Sequence, residues 1–343
     1  MKFILFSNLP YAFSILKPLE NEIKKRNFEY IWYVPKNIEN IFPYPQSTYT
    51  NNIKDLKDYK ADAIFVPGND VPHFLRGVKI QIFHGLAGEK KGHFRIRNYF
   101  DLYLTQGPYF TNKFQDLANK HKNFMVTETG WCKLDNLYNI SKEIEDEKQT
   151  LLKKYNTKNI VLYSPTFSPS LTSGNKLIQT ITNLSNNQNI LVIIKFHDKM
   201  EKSIIELYKK IKNKNLIIST EKDITKLLQI SDLMISDTSS VVYEFILLNK
   251  PVITLNSISE NINWLNLENE EIIESKVIEI LNGNDQFKDK RESTISNYHP
   301  YNDGQSSSRM IDATLNYIQV HGIPTKRKIS LLRKLKIYNH YKF

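Results

Sequence analysis

Short apolar segments alternate along the chain with longer segments in which apolar residues recur every three or four positions. The short segments resemble buried strands, and the longer ones have the period of amphipathic helices, for example 204–212 and 241–249. The strands predicted before a charged helical segment at 142–155 are 2–6, 29–33, 63–66, 80–83, 102–105 and 125–127. Those predicted after it are 159–163, 190–195, 216–219, 233–236 and 252–255.

Several predicted strands are apolar at every position, such as Ile190-Leu191-Val192-Ile193-Ile194. This is typical of parallel strands covered by helices on both faces. Alternating strands and helices predict an α/β fold of doubly wound sheets, and two such series predict two Rossmann-like domains that face a cleft. We assign residues 1–150 to an N-terminal domain, 151–324 to a C-terminal domain and 325–343 to a basic tail. Ligands are expected just beyond the carboxyl ends of the strands.

The composition fits two globular domains, because 41% of the 343 residues are hydrophobic and 24% are charged. Cys132 is the only cysteine, so an internal disulfide is impossible and the cytoplasm is the expected compartment. The first apolar run is interrupted by Asn8 and Pro10, so it is interpreted as a buried strand and not as a signal sequence. No stretch reaches the roughly 18 apolar residues of a membrane span.

The net charge of +11 is concentrated at the end of the chain. Residues 325–343 contain seven Lys or Arg and no Asp or Glu, which leaves +4 for the rest. Ile329, Leu332 and Leu335 recur there at helical spacing, which predicts a basic amphipathic segment able to lie on an anionic membrane. A frayed, solvated tail is the alternative. Nucleic-acid binding is not expected, since no zinc-finger, RNA-recognition or basic-zipper motif is found.

The turn Asp237-Thr238-Ser239-Ser240 joins a predicted buried strand to a predicted helix. Ser and Thr hydroxyls cap helix N–H groups, and the same N–H groups with the helix dipole bind phosphate. The turn is therefore a candidate phosphate site formed by Thr238, Ser239 and Ser240. Taken alone, the pattern equally fits a well-capped helix without a ligand.

Two histidines follow predicted strands at corresponding places in the two domains. His84-Gly85 follows the strand of the first, with Lys90-Lys91-Gly92 close behind. Glycine lets the backbone approach a ligand, and a histidine can accept a proton near neutral pH. A strand-end histidine bonded to backbone is the alternative.

In the second domain, Lys195 and His197 alternate at the end of the predicted strand 190–195 and are expected on the same side, where two cations suit a diphosphate. A metal site is less expected, because no further ligand has suitable spacing. His73 and His93 are interpreted as surface residues.

Arg309 lies in the first turn of the last predicted helix before the tail, where the helix dipole disfavours a cation. The position therefore predicts a partner for the guanidinium group. A phosphate held by two hydrogen bonds is one candidate, and a nearby carboxylate is the other.

Taken together in chain order, these segments resemble the CDP-glycerol glycerophosphotransferases of teichoic acid and capsule synthesis. The segments that carry the resemblance are Phe83-His84-Gly85, Thr129-Gly130-Trp131-Cys132-Lys133-Leu134-Asp135, Tyr163-Ser164-Pro165-Thr166, Lys195-Phe196-His197, Ser231-Asp232, Asp237-Thr238-Ser239-Ser240, Glu244-Phe245, Lys250-Pro251, Asp303-Gly304 and Arg309.

The resemblance implies a GT-B type fold with a CDP-alcohol donor held by the C-terminal domain and the acceptor on the N-terminal side. His84 is the implied base, and His197 is implied near the diphosphate. The implied substrate-binding residues are Gly85, Thr166, Lys195, Thr238, Ser239, Ser240 and Arg309, and no role follows for Gly130 or Lys133. A hydroxyl of a cell-surface or lipid-linked glycan would attack the alcohol-bearing phosphorus and release CMP, with no cofactor or metal demanded.

Three departures from the family pattern leave the donor open between CDP-glycerol, CDP-ribitol and another CDP-alcohol. Phe167-Ser168 stands where an Arg is frequent, Asp198 where a Pro is usual, and Leu86-Ala87 where Thr-Pro is usual. The length favours a compact transferase that adds one or few units. The basic tail would place this cytoplasmic protein at the inner face of the membrane. A sugar-nucleotide glycosyltransferase of GT-B type and a non-catalytic partner in envelope assembly remain the alternatives.

Overall fold

The computed structural model describes residues 1–86, 93–221, 223–259 and 262–341. It divides into two compact units. Unit 1 consists of Met1–Asn136 and Asn297–Phe343, and unit 2 consists of Leu137–Ser296.

Each unit is built on one sheet of parallel strands. The strands of unit 1 are β1 (Lys2–Phe6), β2 (Glu29–Tyr33), β3 (Tyr49–Thr50), β4 (Ala63–Val66), β5 (Val78–Gln81), β6 (Leu102–Thr105) and β7 (Met125–Glu128), in the order β3-β2-β1-β4-β5-β6-β7. Those of unit 2 are β8 (Asn159–Tyr163), β9 (Ile190–Ile194), β10 (Leu216–Ile218), β11 (Leu233–Ser236), β12 (Val252–Leu255) and β13 (Leu265–Leu267), in the order β10-β9-β8-β11-β12-β13.

Helices connect the strands and carry the chain back across each sheet. Their bounds are α1 (Ala12–Lys25), α2 (Lys36–Glu39), α3 (Ile53–Tyr59), α4 (Pro108–His121), α5 (Asp135–Tyr138), α6 (Lys142–Tyr155), α7 (Ile178–Asn186), α8 (Lys202–Lys209), α9 (Thr225–Ile230), α10 (Val241–Leu247), α11 (Ile273–Leu281), α12 (Lys288–Tyr298), α13 (Ser306–His321) and α14 (Leu331–Tyr341). Short 3₁₀ helices cover Cys132–Leu134 and Glu270–Ile272. Among the helices of the described residues, none has the length and hydrophobicity needed to cross a membrane.

The predicted α/β class with two parallel sheets is confirmed. In both sheets the strand order reverses beside the first strand of the unit, between β1 and β4 and between β8 and β11. Such a reversal opens a crevice at the carboxyl ends of the two strands, because the loops that follow them run in opposite directions. The two crevices are therefore the expected ligand positions of the two units.

Local sequence explains where the elements begin and end. In α6, Glu143 and Glu145 lie in the first turn and Lys153 and Lys154 in the last, which complements the helix dipole. The helix ends at Asn156, whose φ of 53° is the left-handed conformation that asparagine tolerates.

One strand of unit 1 is shifted from its predicted position. The prediction was 80–83, whereas β5 spans Val78–Gln81 and the backbone then turns at Phe83, whose φ is 61°. His84 thus lies on a loop and not directly after the strand. Two edge strands, β3 and β13, were not predicted, because they have two and three residues and present little apolar pattern.

The boundary between the units also differs from the prediction, since the chain returns to unit 1 after residue 296. Contacts with the segment 129–135 explain the return. His299 Nε2 accepts a hydrogen bond from the Trp131 amide at 2.9 Å, and the Asp135 carboxylate accepts from the amides of Ser306 and Ser307 at 2.8 and 2.7 Å. Asp135 therefore satisfies the free N–H groups at the start of α13.

The basic tail is neither a separate region nor a frayed one, because it packs on unit 1. The side chains of Arg327 and Asp101 are 9% and 7% exposed and form an ion pair at 2.5 Å. Ile329 and Ile337 join the apolar core of unit 1. Of the three apolar residues predicted for a membrane face, Ile329 is thus buried, whereas Leu332 and Leu335 are exposed.

Candidate functional site

The crevice of unit 2 is organised by Asp237, which follows β11 and is fully buried. Its Oδ1 accepts a hydrogen bond from the Thr166 amide at 2.8 Å. Its Oδ2 accepts from the amide and the hydroxyl of Ser173, each at 2.8 Å. Thr166 and Ser173 lie on the loop after β8, so this carboxylate ties together the two loops that border the crevice.

Burial raises the pKa of Asp237, and the hydrogen bonds from Ser173 and Thr166 oppose the shift. Both oxygens of the Asp237 carboxylate accept hydrogen bonds from loop residues, which indicates a positioning role for Asp237. Thr166 is held through its amide, and this leaves its hydroxyl uncommitted to Asp237. The sequence left the role of Asp237 open, because Ser173 and Thr166 lie 64 and 71 residues away along the chain.

The three hydroxyl residues of the turn lie between Asp237 and α10. Thr238 Oγ1 accepts from the Ile258 amide at 3.2 Å, and the Ser239 amide donates to the Asp237 carbonyl at 3.0 Å. Ser240 is exposed and makes no side-chain capping bond to α10, contrary to the predicted capping. The predicted helix is also shorter than expected, since α10 has only seven residues.

Lys195 and His197 follow β9, the neighbour of β8 in the sheet. Lys195 Nζ donates to the Phe196 carbonyl at 2.9 Å. His197 is exposed, its Nδ1 accepts from the Lys199 amide at 3.1 Å, and its ring lies 4.4 Å from that of Phe167. Since Nδ1 accepts, the neutral ring carries its proton on Nε2 and can donate it to an oxygen.

The surroundings of His197 favour its neutral form. Partial burial lowers the pKa of His197, the carboxylate of Asp198 opposes this shift, and Lys199 and Lys195 add to it. Two of the departures from the family pattern, Phe167 and Asp198, therefore bear directly on this histidine.

In unit 1, His84 is exposed at the carboxyl edge of the sheet. Its Nδ1 lies 3.1 Å from the Pro67 carbonyl oxygen, and its ring centroid lies 5.1 Å from that of Tyr11. Because a carbonyl can only accept, Nδ1 carries the proton in this contact and Nε2 keeps a free lone pair. The geometry thus combines the predicted alternatives: the histidine is bonded to backbone and still has a nitrogen that can act as a base.

Gly85 follows His84, and its carbonyl accepts from Gln106 Nε2 at 3.2 Å. Among the residues that the structure describes, a Cβ built on Gly85 would meet no atom within 4 Å. The predicted lysines Lys90 and Lys91, together with Ala87 and Gly92, lie outside the described residues.

Arg309 has the carboxylate partner that its place in α13 predicted. Its NH1 and NH2 lie 2.7 and 3.1 Å from the two carboxylate oxygens of Asp303, and its Nε donates to the Thr129 carbonyl at 2.8 Å. The guanidinium also lies 4.2 Å from the ring centroid of Tyr301. Arg309 is therefore engaged within unit 1, and the position no longer calls for a phosphate.

Comparison with known proteins identifies the family. The family model of CDP-glycerol:poly(glycerophosphate) glycerophosphotransferases matches residues 77–257, which is more than half of the chain. The chain belongs to this family. The resemblance inferred from the motifs is thus confirmed.

One curated relative is the teichoic acid ribitol-phosphate polymerase TarL of Staphylococcus aureus (strain NCTC 8325 / PS 47). It is 25% identical over 342 residues, covering 83% of this chain and 59% of TarL. The chain therefore spans about three fifths of the length of this relative.

Solved structures share the fold of the chain. The wall teichoic acid polymerase TagF has a TM-score of 0.65 at 16% identity, covering 93% of this chain and 89% of that one. The Staphylococcus aureus MnaA–UDP structure has a TM-score of 0.65 at 14% identity, covering 96% and 99%. A UDP-N-acetylglucosamine 2-epimerase has a TM-score of 0.64 at 15% identity, covering 93% and 96%. These likenesses establish the GT-B type fold.

Several motif residues that the chain shares with the glycerophosphotransferase family hold the scaffold together. Lys250 Nζ donates to the carbonyls of Leu228, Gln229 and Ser231 at the end of α9, and burial lowers its pKa to about 8. Asp232 Oδ2 accepts from the Ile160 amide at 2.8 Å. Gly130 has a φ of 81°, and a Cβ there would approach Ser306 Oγ to 2.5 Å, so this position requires glycine.

The interpretation of His73 and His93 as surface residues was wrong. Both are half-buried among aromatic rings, His93 against Phe83 and His73 between Phe74 and Tyr338. Burial, together with His84 and Lys113, lowers the pKa of His93 to about 4. Within the part of the chain that the structure describes, no three His, Cys, Asp or Glu side chains are grouped to hold a metal ion.

Proposed function

We propose that this chain transfers glycerol phosphate, or a related polyol phosphate, from a CDP-alcohol to an acceptor hydroxyl of a cell-surface or lipid-linked glycan. The observation that carries the proposal is the family match over residues 77–257, which includes both His84 and the turn 237–240. The two features lie at the carboxyl edges of the two sheets, where parallel sheets bind ligands.

The donor diphosphate would lie in the crevice of unit 2. The hydroxyls of Thr238, Ser239 and Ser240 would donate to its oxygens, and the Lys195 ammonium and His197 Nε2 would balance its charge. We assign the binding to these side chains because α10 is too short to contribute a large dipole. Asp237 would fix the turn and the Thr166 loop in one arrangement, so that little reorganisation accompanies binding.

The acceptor hydroxyl would be deprotonated by His84. Its oxygen would form a bond to the alcohol-bearing phosphorus while the bond from that phosphorus to CMP breaks, and the proton would pass to His84 Nε2. The tautomer set by the Pro67 carbonyl leaves that nitrogen free to accept. Arg309 is not part of this site, since Asp303 and Thr129 hold its guanidinium.

The polyol and the number of units added are separate parts of the proposal. The family description refers to glycerol phosphate and TarL to ribitol phosphate, so both CDP-alcohols are candidate donors. For the number of units, we propose transfer of at least one, and polymerisation is the activity that the name of TarL gives for that relative alone.

A peripheral position at the cytoplasmic face of the membrane completes the proposal. It is supported by the outward side of α14, where Leu331, Leu332 and Leu335 are 76%, 81% and 59% exposed beside basic residues. Exposed leucines next to lysine and arginine suit the surface of an anionic bilayer.

A thermal-shift screen tests the donor class. CDP-glycerol, CDP-ribitol and CMP should raise the melting temperature by mass action, whereas UDP-sugars and GDP-sugars should leave it unchanged. A shift with UDP-sugars alone would favour a sugar-nucleotide enzyme. The absence of a shift with every nucleotide would favour a non-catalytic envelope partner. Either result would reject the proposal.

A further inference from the structure

The crevice of unit 1, between β1 and β4, opens into a cavity of about 880 Å³. The loops after these two strands contribute Asn8 on one side and Asn69 and Asp70 on the other. A volume of this size falls in the usual range of small-ligand sites and far exceeds that of a single ion. The cavity therefore has the position and size of a binding site, and it is distinct from the donor crevice of unit 2.

The cavity is strongly basic. Arg95, Arg97, Arg333, Lys336 and His340 line it, and among the described lining residues only Asp70 is acidic. Across the residues that the structure describes, the three arginines and Lys336 form no ion pair with a carboxylate. The Asp70 carboxylate instead accepts from Asn8 and from the Tyr341 hydroxyl.

Like charges that lie close together repel one another, so a cluster of basic side chains is electrostatically unfavourable without an anion. The Arg333 guanidinium donates to the Arg97 carbonyl, and Arg97 NH1 donates to Asn69 Oδ1 and to the Arg95 carbonyl. Burial and the charges of Arg95 and Arg333 lower the pKa of Arg97, and Tyr103 and Asp70 only partly oppose this shift. An anionic ligand would relieve this repulsion.

One face of the last helix, α14, forms a wall of the cavity. Residues 333, 336, 337, 340 and 341 line it, a spacing of three and four that places them on one side of α14. The exposed leucines at 331, 332 and 335 are not in the lining. The helix is held in place by buried Ile337 and, just before it, by the Arg327–Asp101 ion pair.

We propose that this cavity binds the phosphodiester backbone of the acceptor chain and presents its terminal hydroxyl to His84. The inference rests on the proposed function, since it names the acceptor class of the same reaction. The loop Pro67–Asp70 links the two places: the Pro67 carbonyl holds His84, and Asn69 and Asp70 line the cavity. Guanidinium groups bind phosphate oxygens with paired hydrogen bonds, and asparagine amides suit polyol hydroxyls.

Direct binding to the whole chain, without donor, is the first test. Isothermal titration calorimetry with a short synthetic oligo(glycerol phosphate) should show binding that weakens as salt is raised. The dephosphorylated polyol of the same length should not bind. Failure to bind the phosphorylated oligomer, or equal binding of the neutral one, would overturn the inference. So would Arg97-dependent binding of anionic vesicles alone, because the ligand would then be a lipid surface.

Two substitutions locate the binding. Arg97→Gln and Arg333→Gln should each weaken the oligomer affinity about tenfold, the usual effect of one lost charge-assisted hydrogen bond. The KM for the acceptor should rise by a similar factor while the KM for CDP-glycerol stays unchanged. Lys120→Gln is the matched control, because Lys120 is an exposed lysine at the end of α4, on the return path to the opposite edge of the sheet. Unchanged oligomer affinity in both arginine variants would contradict the assignment.

The binding test separates this inference from the proposed function. Oligomer binding that depends on Arg97 and Arg333 supports the cavity assignment even if no CMP is released. CMP release with an acceptor that both variants use normally supports the proposed function and rejects the cavity. Equal melting temperatures of the variants and the parent chain exclude unfolding as the cause of lost binding.

Discussion

The crevices of the two sheets arise from the same strand order but are built in different ways. In unit 2, one buried carboxylate, Asp237, fixes two loops by three hydrogen bonds and leaves hydroxyls at the rim. In unit 1, long basic side chains from the loop 95–97 and from α14 surround an open cavity. The first arrangement fixes two loops through one carboxylate, and the second concentrates positive charge around a cavity.

This difference matches the two substrates of the proposed reaction. A nucleotide donor has the same diphosphate in every turnover, so a rigid polar turn suits it. The acceptor inferred above, built from repeated phosphodiesters, presents the same charge at many positions, so a cluster of cations suits it. We therefore expect ligand binding to unit 2 to be sensitive to small changes in geometry. Ligand binding to unit 1 should depend on the number of positive charges.

The largest effect is expected at His84. His84→Ala should lower the rate of acceptor-dependent CMP release by about 10²–10⁴, the usual consequence of removing a general base. Donor affinity measured by thermal shift should not change, because the donor is assigned to unit 2. His121→Ala, an exposed histidine of the same unit, is the control. Near-normal release in His84→Ala would remove this histidine from the mechanism.

Arg327→Met should destabilise unit 1 and not unit 2. The substitution leaves the buried Asp101 carboxylate without its ion-pair partner, which should lower the free energy of unfolding of that unit by about 3–5 kcal/mol. In urea, unit 1 of the variant should unfold at a lower denaturant concentration than unit 1 of the parent chain. Oligomer binding should be lost and CDP-glycerol binding kept, since α14 is anchored through this pair. Lys326→Met, at an exposed neighbour, should change neither, and an unshifted transition in Arg327→Met would count against the anchoring role.

Asp237→Asn should weaken donor binding through the geometry of unit 2. The amide has only one acceptor oxygen, so Thr166 or Ser173 loses its partner, at about 1–3 kcal/mol for a buried donor left unpaired. The midpoint of unfolding of unit 2 and the affinity for CDP-glycerol should both fall, and acceptor binding should remain. Asp146→Asn, at an exposed position of α6, is the control. Intact donor affinity would show that the turn does not depend on Asp237.

The smallest effect on folding is expected on the outer face of α14. Leu332→Gln should leave the unfolding transition and oligomer binding unchanged, because Leu332 is 81% exposed and outside the cavity. The fraction of the protein that sediments with anionic vesicles should decrease. Reduced oligomer binding in this variant would mean that the two faces of α14 are not independent.

Structural features that are determined by residues close together in the chain could be predicted from the sequence. Strands such as β8 and β9 are buried on both faces, so their apolar runs identify them without further information. The carboxyl edges follow from the alternation of strands and helices, and this is why His84 and the turn 237–240 could be selected.

Contacts between distant parts of the chain could not be predicted in this way. The Asp135 carboxylate meets Ser306 across 171 residues, and Asp101 meets Arg327 across 226. The return of the chain to unit 1, and with it the basic cavity, depends on these pairings. Nothing in the local pattern of 297–343 distinguishes a segment packed on the second unit from one packed on the first.

Nucleotide release tests the central claim most directly. The protein is incubated with CDP-glycerol or CDP-ribitol, with and without a phosphodiester acceptor, and with UDP-sugars or GDP-sugars in parallel, and the released nucleotides are separated by chromatography. The account predicts CMP, formed only with a CDP-alcohol and increased by the acceptor. Release of UDP or GDP without CMP, or no release from any donor, would contradict it.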